Sequence, residues 1–285
     1  MAQLSSPQVD LFSKKDIKIF LKKYKAFPKK RFGQNFLIDK KILRKIMEAA
    51  GIGQKDVILE IGSGIGNLTH ELARNAKKVI AIEKDMKMVE ILKENTKNLK
   101  NVKIINSDVL KIPNYQLPTT SYKIVANLPY YIVSPVIRKF LESGYPPKLM
   151  VLMVQKEVAQ RIIARPPNMS LLAVSVQFYA KTEIVSYVSK KSFWPQPKVD
   201  SAILRITPRT TSGKKSIKTD LFFKIVRAGF SQPRKQIINN LSKCLKINRE
   251  KTRILLLRNK IQPNQRAETL TLKDWSRLAN TFDVA

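Results

Sequence analysis

A single cysteine, Cys244, and a single histidine, His70, stand in a chain of 285 residues. An internal disulfide needs a second thiol, and a metal centre needs a cluster of ligands, so neither thiol chemistry nor metal catalysis is expected. Acidic residues are scarce as well: 21 Asp and Glu stand against 54 Lys and Arg, a formal charge of +33. Solubility requires far less, and the excess implies a polyanionic partner, nucleic acid first. An anionic membrane surface and a compositional bias of the source are the bland alternatives. Long apolar runs are missing too. The clearest, residues 149–154, is strand-sized against the roughly 18 residues of a membrane span. The first residues lack the cationic-then-apolar order of a signal peptide, while residues 14–25 set apolar side chains at helical spacing among lysines. A cytoplasmic protein with no membrane or metal partner is expected, led by a basic helical extension over residues 1–28.

What is present is enough apolar material, 44% of the chain, for one large core and a second, smaller domain. From residue 56 onward, short β-rich runs at 57–61, 78–82, 102–106, 122–126 and 149–154 alternate with helical patterns such as 85–96. That alternation predicts an α/β class with a mostly parallel sheet covered on both faces. Two more β-rich stretches, 171–180 and 201–206, flank a Pro-rich turn at 193–197 without a helix-length gap, and are expected as antiparallel strands at one edge. A polar segment at 207–219 puts a boundary near Pro208. Beyond it, apolar periodicity at 221–228, 234–245, 249–257 and 272–279 predicts a small helical domain over residues 209–285, leaving residues 29–208 as the catalytic domain.

The run at 57–61 leads into Gly62-Ser63-Gly64-Ile65-Gly66 and then a helix. Glycines there let the backbone pass close to a ligand where a Cβ would collide, which marks a nucleotide-type loop. The next strand ends at Glu83, where a carboxylate can accept from both hydroxyls of a ribose. A nicotinamide dinucleotide fold would place an acid there too. The third strand breaks the tie, because it ends in Ser107-Asp108, and methyltransferases of this architecture hold the cofactor adenine amine with a carboxylate at that point. Glu60, inside the approach to the loop, orients the glycine turn or the cofactor amine.

After the fourth strand comes Asn127-Leu128-Pro129-Tyr130, similar to the Asn-Pro-Pro-Tyr element of methyltransferases that act on exocyclic amines. The lone pair of an adenine 6-amino group is delocalised into the ring until its hydrogens are held out of plane. The Asn127 side-chain carbonyl and the Leu128 main-chain carbonyl can each accept one of them. Pro129, with no N–H and a fixed φ, stiffens the turn, and Tyr130 offers a face for an extruded base.

These residues together resemble the KsgA family of small-subunit ribosomal RNA adenine dimethyltransferases over nearly the whole chain. The stretch Lys30-Arg31-Phe32-Gly33-Gln34-Asn35-Phe36-Leu37 resembles its leading element, which implies that Asn35 and Leu37 contact the methionine end of S-adenosylmethionine. The same resemblance gives Gly62, Gly64, Glu83, Asp108 and Asn127 cofactor contacts. It implies a Rossmann-like fold with a seven-stranded sheet. Phe193-Trp194-Pro195-Gln196-Pro197-Lys198-Val199-Asp200-Ser201 is similar to a long family signature, implying that Phe193 stacks on the target base opposite Tyr130. Without that likeness Phe193 and Trp194 would read as core or edge packing. Phe230-Ser231-Gln232-Pro233-Arg234-Lys235 and the stretch 265–270 resemble tail elements of the small-subunit branch, although Pro233 stands where an Arg is expected. The implied substrate is 16S rRNA within the small subunit or its precursor, at two adjacent adenosines near the 3′ end, with a monomer sufficing.

Basic residues at 29–31, Arg161, Arg165, Lys190, Lys191, Arg234, Lys235 and 249–253 would hold phosphates if they flank the cleft. Three competitors stand beside this reading: an Erm-like methyltransferase of large-subunit RNA, a non-catalytic RNA-binding assembly or transcription factor, and a nicotinamide-dependent oxidoreductase. The intact Asn127–Tyr130 element speaks against the second, and Asp108 with the glycine spacing against the third.

Overall fold

The computed structural model describes residues 10–29, 32–118, 121–209 and 217–282. Lys30 and Arg31, much of the polar segment at 207–219 and the first nine residues of the extension lie outside the described residues. The chain divides into two compact units.

The first unit opens with α1 (Lys14–Lys23), β1 (Phe36–Leu37) and α2 (Lys40–Ala50). It continues with β2 (Val57–Ile61), α3 (Asn67–Asn75), β3 (Lys78–Glu83), α4 (Met86–Thr96), β4 (Val102–Asn106), β5 (Lys123–Asn127), α5 (Val133–Leu141) and β6 (Leu149–Gln155). A seven-stranded sheet runs in the order β4-β3-β2-β5-β6-β9-β7, where β7 is Ala180–Val188 and β9 is Ser201–Pro208. The first five strands of that order pair in parallel, and β9 lies antiparallel to β6, with Met153 opposite Ile203. Every parallel strand expected from the apolar runs is present, because strands buried on both faces carry nearly continuous Val, Ile and Leu. β6 is buried over its first six residues. The direction of winding reverses between β2 and β5, so their carboxyl ends flank the crevice where open α/β sheets bind ligands.

Outside the main sheet, β1 pairs with β8 (Phe193–Trp194), setting Phe36 opposite Trp194 and Leu37 opposite Phe193. Helix α1 is capped by Ser13, whose Oγ accepts from the Asp16 N–H. Its buried face, Ile17, Phe20 and Leu21, joins Phe36, Ile65, Met88 and Ile91 in one apolar cluster.

One expected strand is a helix. All but the last of residues 171–180 form α7 (Leu171–Tyr179), and the edge strand is β7, which begins at Ala180. A short run that is apolar all round fits either period, so the cap decides: the Ser170 Oγ accepts from the Ala173 N–H and starts a helical turn. The alternating AKTEIVSYV of β7, half buried on one face, went unread beside it.

The second unit gathers residues 141–146, 157–182 and 208–285. It holds most of α6 (Lys156–Ile163), α7, α8 (Ile217–Gly229), α9 (Ile237–Leu245), α10 (Arg249–Arg258) and α11 (Leu272–Phe282). The four tail helices stand where periodicity put them. The unit is discontinuous in sequence, however, and a linear division at residue 208 does not express that. The reason is apolar: Phe178 of α7 stacks on Phe222 of α8 with centroids 4.4 Å apart, and Tyr179 stacks on Phe223 at 5.6 Å.

Trp275 of α11 is fully buried, and its ring lies where a Cβ on Gly229 would stand, 2.3 Å from the Cη2 atom. Gly229→Ala should therefore lower stability by about 1–3 kcal/mol through overpacking. Chemical denaturation followed by tryptophan fluorescence checks this, and Trp275→Phe in the same chain should restore part of the loss.

Candidate active site

The loop after β2 passes its turns through the left-handed region, with φ of +74° at Gly62 and +56° at Gly64. A Cβ on Gly64 would meet the Phe36 ring at 3.2 Å, and one on Gly62 would lie 3.6 Å from the Asn127 carbonyl oxygen. Conformation therefore requires glycine at both positions, and at Gly64 the Phe36 ring adds a demand on space. The loop is pinned to the neighbouring strand: the Gly62 N–H donates to the Ile82 carbonyl at 2.8 Å and the Gly64 N–H to Glu83 Oε2 at 2.9 Å.

Three carboxylates line the resulting pocket. Glu83 receives the Gly64 N–H on one oxygen and the Asp85 N–H, at 2.8 Å, on the other. Burial raises its pKa and these N–H donors oppose the rise. The Lys84 N–H is a third donor, which leaves part of the carboxylate's four lone-pair capacity for a hydroxyl. Glu60, 1% exposed, accepts from the Thr69 hydroxyl at 2.6 Å, and burial pushes its pKa up to about 7. Asp108 is the opposite case. Its partial burial is outweighed by Lys84, 2.9 Å away, and by the Leu110 N–H, so its carboxyl is held below the usual range.

Opposite the glycine loop, the chain ahead of β1 closes the pocket as a strap. Lys29 Nζ and Gln34 Nε2 reach the two oxygens of Asp85, at 2.9 and 3.0 Å. Burial would raise the Asp85 pKa, but Lys29 and Gln34 hold it below the usual range. Gly33 packs on Pro129, where an added Cβ would lie 3.2 Å from the proline Cβ. Asn127 Nδ2 donates to the Asn35 carbonyl at 2.9 Å. With its nitrogen committed, the Asn127 amide has Oδ1 left as an acceptor.

The pocket wall brings together Asn35, Leu37, Gly62, Gly64, Glu83, Asp108, Asn127 and Pro129. Leu128 sits beneath it, buried, its N–H donating to the Met153 carbonyl. Tyr130 is half buried, with its hydroxyl 3.1 Å from the Ser201 Oγ. Phe193 pairs with Leu37, which lines the pocket. Its ring is 2% exposed, in the cluster of Leu37, Ile42, Leu43 and Ile203. Tyr131, 57% exposed, and Ile132 line the pocket as well. The strap contacts of Lys29, Gln34 and Asp85 were missed. Their only sequence signal is that Asp85 opens a helix two residues after Glu83, where it also caps the Lys87 N–H. Among the described residues no group of three or more His, Cys, Asp or Glu could hold a metal ion, and no helix is long and apolar enough to cross a membrane.

The sheet order, the glycine turn at the winding reversal and the acids ending successive strands define a Rossmann-like methyltransferase. A family model described as "Ribosomal RNA adenine dimethylase" matches residues 27–283, and the chain belongs to that family. It is 42% identical over 261 residues, 91% of this chain and 90% of the relative, to a Dehalococcoides mccartyi protein named "Ribosomal RNA small subunit methyltransferase A". Among solved structures it resembles a dimethyladenosine transferase from Plasmodium falciparum, with a TM-score of 0.75 and 30% identity over 87% of this chain and 97% of that one. It also resembles the 23S rRNA methyltransferase ErmE, with a TM-score of 0.72 and 27% identity over 87% of this chain and the whole of that one.

The elevated pKa of Glu60 has a direct consequence for the protein free of cofactor. Between its ordinary pKa of 4.5 and about 7 the folded state holds a proton that the unfolded state has released. The associated stability is complete below that window and lost as pH rises through 7. Glu60→Gln should accordingly raise the Tm at pH 8 and leave it nearly unchanged at pH 4.5, as read by calorimetry. An equal shift at both pH values would show that the carboxyl does not titrate there.

Proposed function

We propose that this chain transfers methyl groups from S-adenosylmethionine to the 6-amino groups of two adjacent adenosines in the 3′-terminal hairpin loop of 16S rRNA, within the small subunit or its precursor. The pocket fits that cofactor: a buried acid stands beside a glycine turn whose backbone a side chain would block. Asn35 and Leu37 would hold its methionine end, Gly62 and Gly64 would let it lie against the backbone, Glu83 would accept from the ribose and Asp108 from the adenine amine. When bound, it supplies an electrophilic methyl carbon on a sulfonium.

The observation that carries the reading is the Asn127 amide, turned by the Asn35 carbonyl so that its oxygen is the free end. Oδ1 of Asn127 and the carbonyl of Leu128 accept the two amine hydrogens, which localises the lone pair toward the methyl carbon. Pro129 keeps the two acceptors in one geometry. Tyr130, its hydroxyl anchored by Ser201, stacks on the extruded base, a contact worth about 1–3 kcal/mol. Once methylated, the nitrogen is a strong acid and loses its proton to water. The rate comes from orientation and from exclusion of water.

A second reading is favoured by the ErmE likeness over the whole of that chain: methylation of large-subunit RNA by the same pocket. Incubation with unmethylated small subunits and, separately, with free 23S rRNA, followed by digestion and mass spectrometry, tests both. Dimethyladenosine from the small subunit alone supports the proposal, and its appearance in 23S rRNA alone transfers the assignment. Asn127→Ala should reduce kcat by about 100-fold or more. Its cofactor Kd should rise only a few-fold, because the strap loses one of its ties. A retained kcat would remove the lone-pair argument.

A further inference from the structure

Helix α1 has two faces with different fates. Ile17, Phe20 and Leu21 are at most 6% exposed and rest on Phe36 and on Ile65 of the glycine turn, so the helix is built into the wall beside the cofactor pocket. Its N-terminal lead is tied down as well, since Asn67 Nδ2 donates to the carbonyls of Leu11 and Leu37. The other face carries Lys14, Lys15, Lys18, Lys22 and Lys23, all exposed, with Lys25 just beyond. At 3.6 residues per turn the first four share about 100° of arc. Asp16 is the one acid in the helix. Among the described residues none of these six lysines forms an ion pair. Exposed Ile19 and Phe27, at 60% and 72%, stand in the same surface, and Lys18 lies 5.8 Å from the Trp194 ring centroid.

Uncompensated like charges on a short helix repel one another at a cost in helix stability. Lysines interleaved with exposed aromatic and aliphatic groups are also the composition that grips a sugar-phosphate backbone and its bases. A membrane-surface helix needs a free apolar face, and here that face is spent on the protein core. The family match begins at residue 27, after α1 has ended, so this surface lies outside the matched part of the chain. We propose that the outward face of α1 is a docking surface for the phosphate backbone of the substrate RNA, flanking the loop that delivers the target base. The inference deepens the proposed function and rests on its assignment of an RNA substrate.

The test uses the full chain with Lys14, Lys15, Lys18 and Lys22 changed to Gln, which keeps helix propensity close to that of Lys. A control carries the same charge loss at the opposite strand ends: Lys77, Lys78, Lys100 and Lys103 to Gln, all exposed. The Kd for unmethylated small ribosomal subunits is measured by co-sedimentation across a salt series, beside the S-adenosylmethionine Kd and the kcat and KM of transfer. The α1 variant should bind subunits about tenfold or more weakly at physiological salt. The slope of log affinity against log salt should fall by about 3–4, since each of the four lost phosphate contacts contributes roughly 0.7–0.9. Its cofactor Kd and its kcat at saturating subunits should match the parent. The control should stay within about twofold of the parent. Parent-like subunit binding by the α1 variant, or an equal loss in the control, would overturn the proposal. So would a loss confined to phosphatidylglycerol vesicles. Because binding is read apart from transfer, a parent chain that forms no dimethyladenosine sinks the proposed function while the subunit Kd still decides the fate of α1.

Discussion

The whole site depends on which end of one amide faces the pocket. Rotated by half a turn, Asn127 would offer N–H donors to an amine that has hydrogens of its own, and the corner would repel its substrate. The Asn35 carbonyl settles the matter by taking the Asn127 nitrogen at 2.9 Å. Such a bond contributes only about 1 kcal/mol to net stability, yet in the proposed transfer it would set the sign of the chemistry. It also needs residues 92 apart in sequence to meet, and the rest of the strap serves that meeting. Asp85 fixes Lys29 and Gln34 on one side, and Gly33 lets the chain lie against Pro129 on the other.

What could be read from the sequence follows from how local each signal is. The parallel strands are continuous apolar runs, and the glycine loop is a turn whose demand on conformation is met residue by residue, so both were legible. Glu83 and Asp108 were legible as acids at strand ends. The strap was not, because Gln34 and Asp85 are 51 residues apart and neither is unusual where it stands. Residues 171–180 show the limit of periodicity: an apolar run of helix length carries no stripe, and only the Ser170 cap distinguishes the two outcomes. Phe193 joins the two kinds of signal: the signature fixes the residue type, and the β1–β8 register sets it opposite Leu37 of the pocket wall.

Charge is sorted by depth. The acids at the pocket are buried or half buried and each has a partner, which keeps a low-dielectric cleft from carrying loose negative charge. The surplus cations are outside, where solvation is cheap and where a polyanion can reach them. A net charge of +33 spread in this way favours encounter with RNA over the whole surface and leaves orientation to particular faces.

The same sorting removes a general base from the corner. Glu60 is 1% exposed and hydrogen-bonded to Thr69, which ties its carboxyl to the helix after the glycine turn. Both oxygens of Glu83 already accept from backbone N–H groups, and in the proposed function its remaining lone-pair capacity goes to the ribose. Asp108 is ionised against Lys84, and a carboxylate held low by a cation is a weak base. Among the described residues no other acid and no histidine lines the pocket. The proposed transfer would therefore draw its rate from where two carbonyl oxygens hold a nitrogen, and an amine whose methylated form sheds its proton unaided is the nucleophile suited to that constraint.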